Sequence, residues 1–210
     1  MRPMTLPLDY LAPALVWLDI LGIAVFAASG ALAAARLKQN LVTFAFFAAI
    51  TSTGGGTVRD LLLGAPVFWM HDSRAMAVCL GMALLVWCTP ARLWRGKALD
   101  WFDAIGLAAY AVYGAAKAQS LAIPPLPAAV MGVVTGCVGG ILRDVLAGEP
   151  SILLRPEIYV TAAVLAATLF VGLGALGCPL PLAAGLAACA GFALRAFAIL
   201  RGLALPGYRG

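Results

Sequence analysis

Seven long apolar segments, each long enough to cross a bilayer as a helix, follow one another along the chain. They fall at about residues 14–35, 41–63, 74–92, 101–119, 126–147, 157–176 and 180–202. A membrane helix needs roughly 20 apolar residues. Glycine, proline and charged residues cluster in the short breaks between segments, as expected of turns. The pattern predicts an all-α polytopic membrane protein with seven transmembrane helices in one membrane domain, residues 1–210.

The composition favours a protein embedded in lipid. The 210 residues are 63% hydrophobic and 11% charged, with a mean hydropathy of +1.00, whereas soluble domains carry about 25% charged residues. The net charge of +5 lies mostly in short loops, which favours retention of those loops in the cytoplasm over nucleic-acid binding. Five cysteines lie almost all in apolar segments without metal-site spacing, so we expect buried thiols and no metal or cofactor.

Lysine and arginine are distributed unevenly between alternate loops, which predicts the orientation. With the N-terminus outside, the inner loops and tail hold eight of them: Arg36, Lys38, Arg92, Arg95, Lys97, Arg155, Arg201 and Arg209. The outer segments hold Arg2 and Arg74. Because basic loops are retained in the cytoplasm, we predict an external N-terminus and a cytoplasmic C-terminus.

The sequence repeats itself after 84 residues without a gap. The matched pairs include Asp19 with Asp103, Gly30 with Gly114, Thr51 with Thr135, Gly55-Gly56 with Gly139-Gly140, Arg59-Asp60 with Arg143-Asp144, and Pro66 with Pro150. Each copy covers three predicted helices, residues 14–92 and 101–176, so the second copy enters the membrane from the opposite side. Inverted repeats of this kind place ion or substrate sites near the midplane, often at broken helices. The seventh helix, residues 180–202, has no counterpart.

A glycine-rich motif followed by an Arg-Asp pair lies in the second helix of each copy. It reads GGGTVRD in the first copy and VGGILRD in the second. Adjacent glycines weaken a membrane helix, so we predict a kink or an unwound turn in both helices. The glycines concerned are Gly54, Gly55, Gly56, Gly139 and Gly140. Carbonyl groups freed at such a break can coordinate a cation, and freed N–H groups can bind an anion.

The Arg-Asp pairs are charged residues inside predicted membrane helices. A charge in the bilayer costs several kcal/mol, so each should be paired and should face protein or water. Because neighbouring residues on a helix point about 100° apart, the repeat suggests a cross arrangement of Arg59 with Asp144 and Arg143 with Asp60. Two interpretations stay open: a clamp between two kinked helices, and a direct part in permeation.

Small and hydroxyl-bearing residues accompany these motifs. Each copy carries a stripe of small residues four positions apart: Ala48, Ser52 and Gly56 in the first, and Gly132, Gly136 and Gly140 in the second. Such stripes let helix backbones approach closely, so we predict that the two glycine-rich helices cross along them. The hydroxyls of Thr51, Ser52 and Thr135 either line a wet path or bond to their own helices.

Lys117 stands alone among apolar residues late in the fourth predicted helix. A lysine near the end of a membrane helix can extend its amine to the interface, which would make this residue a simple anchor. Alternatively it lies in a permeation pathway, as a charge that responds to voltage or sets selectivity. The sequence leaves both interpretations open.

The seven helices, the three-plus-three repeat and the doubled GGxxRD motif resemble the bacterial branch of the TRIC (trimeric intracellular cation channel) family, also known as the UPF0126 or glycine-transporter domain. The resemblance covers about residues 19–201. It implies a homotrimer in a bacterial inner membrane, in contact with lipids, with a pore in each subunit between the second and fifth helices. That pore would pass monovalent cations, K⁺ in preference to Na⁺. A basic residue of the fourth helix is linked to voltage gating in animal members, and Lys117 is its expected counterpart.

The leading hypothesis is therefore a passive channel for monovalent cations. The strongest alternative is a secondary transporter of glycine or another small zwitterion, since half-helix N-termini in inverted repeats can bind a carboxylate. A scaffold with purely structural charges is a third hypothesis. We do not expect an enzyme, because the sequence has one histidine, His71, and no nucleophile–base pair or phosphate-binding motif.

Overall fold

The computed structural model describes residues 8–94, 96–154 and 157–206, and these fold into helices joined by short loops. The eight α-helices are α1 Leu8–Arg36, α2 Leu41–Leu62, α3 Phe68–His71, α4 Ser73–Cys88, α5 Ala98–Ser120, α6 Pro125–Ala147, α7 Val160–Ala175 and α8 Leu180–Arg201. Short 3-10 turns lie at Ala91–Trp94 and Ile152–Leu154. The predicted all-helical fold class is confirmed, and the seven long helices correspond to the seven apolar segments. The four-residue helix α3 was not predicted.

The long helices differ in how well they suit a bilayer. Four are long and apolar enough to cross a membrane by length and composition: the Trp17–Arg36 part of α1, together with α2, α6 and α8. Helices α4 and α7 are apolar but shorter. Helix α5 carries Asp103 and Lys117, and it packs against α1, α6, α7 and α8. A helix with interior charges is suited to this protein-lined position.

Local signals in the sequence set the helix ends. The side chain of Asn40 caps α2 by accepting a hydrogen bond from the Thr43 N–H at 3.0 Å, which satisfies one of the free donors of the first turn. Gly148 and Gly202 close α6 and α8 in the left-handed conformation, with φ of 69° and 62°, where glycine is favoured. The Lys97 amine donates to the Ile199 carbonyl at 2.6 Å and so satisfies an acceptor near the end of α8.

Equivalent residues of the two sequence copies make reciprocal contacts. Gly22 of α1 lies against the Tyr110 ring, and Gly106 of α5 lies against the Phe26 ring, with no room for a side chain at either glycine. The two ring centroids are 5.3 Å apart. Tyr110 follows Phe26 by the same 84 residues that separate the glycines. Helices α1 and α5 therefore pack as two-fold equivalents.

Alanine dominates the buried positions of the bundle. The first copy is packed around Phe26, Phe47 and Cys79, and the second around Tyr159 and Phe170, with small side chains filling most of the remaining space. Lipid tails are as apolar as leucine, so burial alone does not drive helix association in a membrane. Close van der Waals packing of small residues does, and this composition provides it.

Candidate functional site

Helices α2 and α6 cross at the glycine-rich motifs with their backbones in contact. Gly55 of α2 lies against the carbonyl oxygen of Thr135 in α6, and Gly139 of α6 lies against the carbonyl oxygen of Thr51 in α2. The two contacts are reciprocal, because Thr135 and Gly139 are the repeat equivalents of Thr51 and Gly55. A Cβ atom at either glycine would collide with the opposite backbone. Glycine is thus required for the crossing itself.

The neighbouring glycines of each motif face different partners. Gly140 lies against the Tyr159 hydroxyl and the Asp103 carboxylate, while Gly56 lies against the Phe68 ring and Gly54 against Leu142. Successive residues of a helix point about 100° apart, so adjacent glycines leave two faces of the helix without side chains. In α6, Gly139 opens the face toward α2 and Gly140 the face toward α5.

The predicted small-residue stripe does not form the α2–α6 crossing, so that prediction is wrong. Gly132 and Gly136 lie against backbone atoms of Ala111 and Leu107 in α5. In the first copy, the Ser52 hydroxyl faces Cys79 of α4 at 2.9 Å. The stripe therefore packs each glycine-rich helix onto other helices. The residues of the stripe lie on a different face of each helix from Gly55 and Gly139. The four-residue spacing does not by itself show which of these faces meets the other glycine-rich helix.

Of the two alternatives predicted for the glycine-rich helices, a kink or an unwound turn, the structure excludes the unwound turn. Every residue of both helices is described, and α2 and α6 are each helical without interruption. The hydroxyls of Ser52 and Thr135 bond to carbonyls of their own helices, Ser52 to Ala48 at 2.7 Å and Thr135 to Met131 at 2.6 Å. The Thr51 hydroxyl has no partner among the described residues. The kinks themselves stay a prediction.

In the first copy, one carboxylate holds two cations. The Arg59 Nε donates to Asp60 Oδ1 at 2.8 Å, and the Lys117 Nζ reaches the same oxygen at 2.8 Å. The other oxygen of Asp60 accepts the Phe68 N–H at 3.0 Å. The Arg59 guanidinium also lies 5.2 Å from the centre of the Tyr113 ring. Arg59 and Asp60 are buried, while the Lys117 side chain is 23% exposed. We call this set of residues the first cluster.

In the second copy, one cation holds two carboxylates. The Arg143 Nη2 donates to Asp144 Oδ1 at 2.8 Å, and its Nη1 donates to Asp103 Oδ1 at 2.6 Å and to the Ser29 hydroxyl at 2.5 Å. The other oxygen of Asp144 accepts the Ile152 N–H at 2.8 Å. All these side chains are buried. We call this set of residues the second cluster. It contains the same Arg-Asp pair as the first cluster, but its third charged residue is Asp103, where the first cluster has Lys117.

The predicted cross arrangement of the charges is wrong. Each arginine pairs with the aspartate that follows it, Arg59 with Asp60 and Arg143 with Asp144, and the described residues contain no cross pair. The 100° separation holds for the Cβ directions only. The long arginine side chain bends back to its neighbour, and a backbone N–H eight residues further on holds each aspartate.

Sequence reasoning missed Arg195 of α8. Its side chain is 2% exposed; Nη2 pairs with Glu157 Oε2 at 2.7 Å, and the guanidinium lies 5.3 Å from the centre of the Tyr159 ring. The Tyr159 hydroxyl in turn lies beside Asp103, next to Gly140. Arg195 therefore connects α8 to the second cluster. The signal was available, because Arg195 is a charged residue within a predicted membrane helix.

Ser29 and Tyr113 were also missed as partners of the arginines. They are separated by 84 residues, and each faces the arginine of the other copy: Ser29 contacts Arg143, and Tyr113 contacts Arg59. The repeat could have identified them as an equivalent pair. It could not identify them as arginine partners, because that depends on how α1 packs on α6 and α5 on α2.

Comparisons with known proteins find the same internal repeat. A family model described as glycine transporter matches residues 16–91 and again residues 100–175, with the same offset of 84. The chain is 44% identical over 154 residues to a UPF0126 membrane protein of Vibrio cholerae, covering 70% of this chain and 63% of that protein. It is 42% identical over 153 residues to the UPF0126 inner membrane protein YadS of Escherichia coli K12, covering 71% and 73%.

A solved structure is similar over nearly the whole fold. It is the TRIC trimeric intracellular cation channel orthologue from Rhodobacter sphaeroides, at 42% sequence identity and a TM-score of 0.84. The match covers 90% of this chain and 99% of that chain. The match to the Vibrio cholerae relative, in contrast, spans less than two thirds of that protein's length.

Proposed function

The chain belongs to the family of membrane proteins described as glycine transporter, or UPF0126, and on that premise we propose that it is a channel for monovalent cations, K⁺ in preference to Na⁺. The observation that carries the proposal is the α2–α6 crossing, where two glycine-opened backbones meet beside buried, internally neutralised charges. The similar Rhodobacter sphaeroides protein, described as a cation channel orthologue, supports it.

The pathway follows α2 and α6, and the crossing is its gate. Two helices whose backbones touch at Gly55 and Gly139 leave no space between them for an ion. Conduction therefore requires α2 and α6 to separate, or to slide along each other until Gly55 no longer contacts Thr135 and Gly139 no longer contacts Thr51. Contacts between small residues rest on van der Waals packing, so a modest displacement of one helix releases them.

The ion pairs remove the main electrostatic objection to a cation pathway. Arg59 and Arg143 would repel a cation if their charges were free. Each instead donates to the aspartate that follows it, so the arginines clamp the helices while their field is cancelled at close range. Both functions considered for the Arg-Asp pairs, clamp and pathway wall, are thereby compatible.

Lys117 is the residue best suited to control entry. It shares Asp60 with Arg59, and its side chain is partly exposed. An exposed amine at the end of a pathway raises the energy of an entering cation and responds to membrane voltage. Its contact with Asp60 argues against a simple anchor at the interface.

The proposed architecture is seven transmembrane helices in two inverted repeats, residues 14–92 and 101–176, with helix 180–202 as a peripheral seventh. The doubled family match supports the repeat. We propose a homotrimer with a pore in each subunit, in the plasma membrane, with the N-terminus outside and the C-terminus in the cytoplasm. Of the residues behind that orientation, Arg2, Arg95, Arg155 and Arg209 lie outside the described residues.

The decisive experiment separates a channel from a carrier. The purified protein is reconstituted in planar bilayers under a KCl gradient, with and without glycine, and vesicles are assayed in parallel for glycine uptake. Unitary currents that reverse near the K⁺ potential, and that Asp60→Asn or Asp144→Asn alters, are expected. The matched control is Asp72→Asn, because this carboxylate lies in a loop and pairs with exposed Arg74. Silent bilayers with saturable glycine uptake would refute the channel.

A further inference from the structure

The Lys117 amine lies between a carboxylate and an aromatic ring. Its Nζ is 2.8 Å from Asp60 Oδ1 and 6.0 Å from the centre of the Phe68 ring. A carboxylate that accepts N–H bonds and an aromatic face within about 6 Å are the groups with which proteins recognise ammonium ions. The position of the amine therefore has the composition of an ammonium-binding site, and the lysine stem tethers the amine to it.

The two walls of this position are held by contacts that do not involve the lysine. The Phe68 N–H donates to Asp60 Oδ2 at 3.0 Å, and the Phe68 ring lies against Gly56. The next residue, Trp69, donates its indole N–H to the Thr57 hydroxyl at 2.9 Å. These contacts fix the loop that follows α2 onto the end of that helix. Removal of the lysine side chain should therefore leave the carboxylate and the ring in place.

The second copy shows that the fold requires neither the amine nor the ring. There, the backbone N–H of Ile152, the equivalent of Phe68, donates to Asp144 Oδ2 at 2.8 Å, so the same contact between loop and carboxylate forms. Isoleucine offers no aromatic face, and the residue equivalent to Lys117 is Ala33. The ring and the amine are thus a pair of additions to a loop that both copies share.

A small molecule can reach this position. Lys117 lies in the last turn of α5, and its side chain is 23% exposed, whereas Asp60 is buried. Arg59 keeps its own bond to Asp60, at 2.8 Å from Nε, and its contact with the Tyr113 ring. The carboxylate is therefore not left unpaired when the lysine amine moves away, and a second cation can take the place of that amine.

We propose that Asp60 and Phe68 form a binding site for a primary alkylammonium ion, which Lys117 fills in this structure with its own amine. A free ligand donates an N–H bond to Asp60 Oδ1, places its charge beside the Phe68 ring and extends its alkyl part along the space of the lysine stem. The tethered amine competes at a high effective concentration, so soluble amines bind the unchanged protein only weakly. The proposal does not depend on what the protein conducts.

The test is thermal unfolding of the purified full-length protein in detergent, titrated with propylammonium chloride at constant ionic strength. Lys117→Ala removes the part of the side chain that propylammonium reproduces, and binding to the folded state raises the unfolding temperature in a saturable way. We expect saturation at millimolar concentrations for this variant, as suits so small a ligand, and binding to the unchanged protein about tenfold weaker or more. Lys117→Ser opens a similar space and provides an independent repeat.

The matched control is Arg74→Ala. It also removes a cation from a carboxylate, that of Asp72, but within the described part of the chain no aromatic ring contacts Arg74. Propylammonium should not stabilise it saturably. Tetramethylammonium has the same charge without an N–H donor, so it should bind Lys117→Ala about tenfold more weakly or worse. Equal stabilisation of Arg74→Ala, equal binding of tetramethylammonium, or no saturable effect on either Lys117 variant would overturn the proposal.

A double variant tests the aromatic wall. Lys117→Ala with Phe68→Leu keeps Asp60 and its bond to the loop backbone but removes the aromatic face. Propylammonium should then bind roughly two- to fivefold more weakly than to Lys117→Ala, the effect of losing a cation–π contact at a partly exposed site. Unchanged affinity would also overturn the proposal, in favour of a carboxylate site in which the ring has no part.

Discussion

The two copies of the Arg-Asp motif have the same local geometry, but their third charged partners have opposite signs. In both, the arginine pairs with the next residue, and the aspartate accepts a backbone N–H from eight residues further on. In both, α5 supplies the third charge. That charge is Lys117 in the first cluster and Asp103 in the second. The repeat therefore preserves the pairing of each arginine with the next aspartate, while two different positions of α5 supply third partners of opposite sign.

The clusters also differ in how they are enclosed. The side chain of Tyr159 covers the second cluster, with its hydroxyl beside Asp103. Arg195, from helix α8, which has no repeat equivalent, stacks on the Tyr159 ring. The residue equivalent to Tyr159 in the first copy is Ala75, and the Lys117 side chain there is 23% exposed. The second cluster is therefore enclosed by protein, whereas the first is open to solvent at Lys117. We expect the side chains of the second cluster to be held more tightly than those of the first.

The largest effect is expected from the two arginines. Arg143→Gln leaves Asp103 and Asp144 buried without their cation, and breaking a buried pair in this way costs about 3–5 kcal/mol of folding free energy. Arg59→Gln should cost less, because Lys117 still contacts Asp60 at 2.8 Å. The measurement is unfolding of both variants in detergent.

Arg74→Gln is the matched control for this pair, since Arg74 forms an exposed ion pair with Asp72 and its loss should leave stability nearly unchanged. Equal losses for Arg59→Gln and Arg143→Gln would contradict the asymmetry between the clusters.

Loss of Arg195 should have the next largest effect. Arg195→Gln removes a charged hydrogen bond to Glu157 and the stacking on Tyr159, at a cost of about 1.5–3 kcal/mol. Glu157 is 37% exposed at its side chain, so water can compensate part of this loss. Unfolding should be compared with that of Arg201→Gln, an exposed arginine of the same helix. If the two variants unfold alike, α8 does not brace the second cluster.

Lys117→Gln should change current more than stability. The substitution leaves Arg59 on Asp60 and removes one partly exposed cation, so the folding free energy should fall by about 1 kcal/mol or less. Unitary K⁺ conductance should rise, most strongly at low ionic strength, where charges are least screened. Recordings of Lys117→Gln and of Arg92→Gln across a range of KCl concentrations measure this. A conductance equal to that of the unchanged protein at every concentration would remove Lys117 from the pathway.

The sequence was sufficient for the features that depend on periodicity. Apolar segment length predicted the long helices, and the 84-residue offset identified Gly55 with Gly139 and Arg59 with Arg143 before their contacts were known. Which side chains meet was not predictable in the same way. The rotation of α6 decides that Gly139 faces α2 and that Gly136 faces α5, and rotation follows from packing around the whole bundle.

The two remaining errors had different causes. The cross arrangement of Arg59 and Asp144 assumed that a side chain continues in the direction of its Cβ atom, which a long arginine need not do. The prediction of an unwound turn assumed that adjacent glycines weaken the helix that contains them. Here Gly55 instead allows contact with the backbone at Thr135, and that contact supports the helix.

The most direct test of the central claim, that the α2–α6 crossing gates a cation pathway, is the open probability of Gly55→Ala in planar bilayers under a KCl gradient. A methyl group at this position must push the Thr135 backbone away, so the account predicts a higher open probability than in the unchanged protein. The control is Gly172→Ala in α7, where a methyl group meets nothing within 4 Å. Folded Gly55→Ala protein whose open probability is unchanged or lower would contradict the claim.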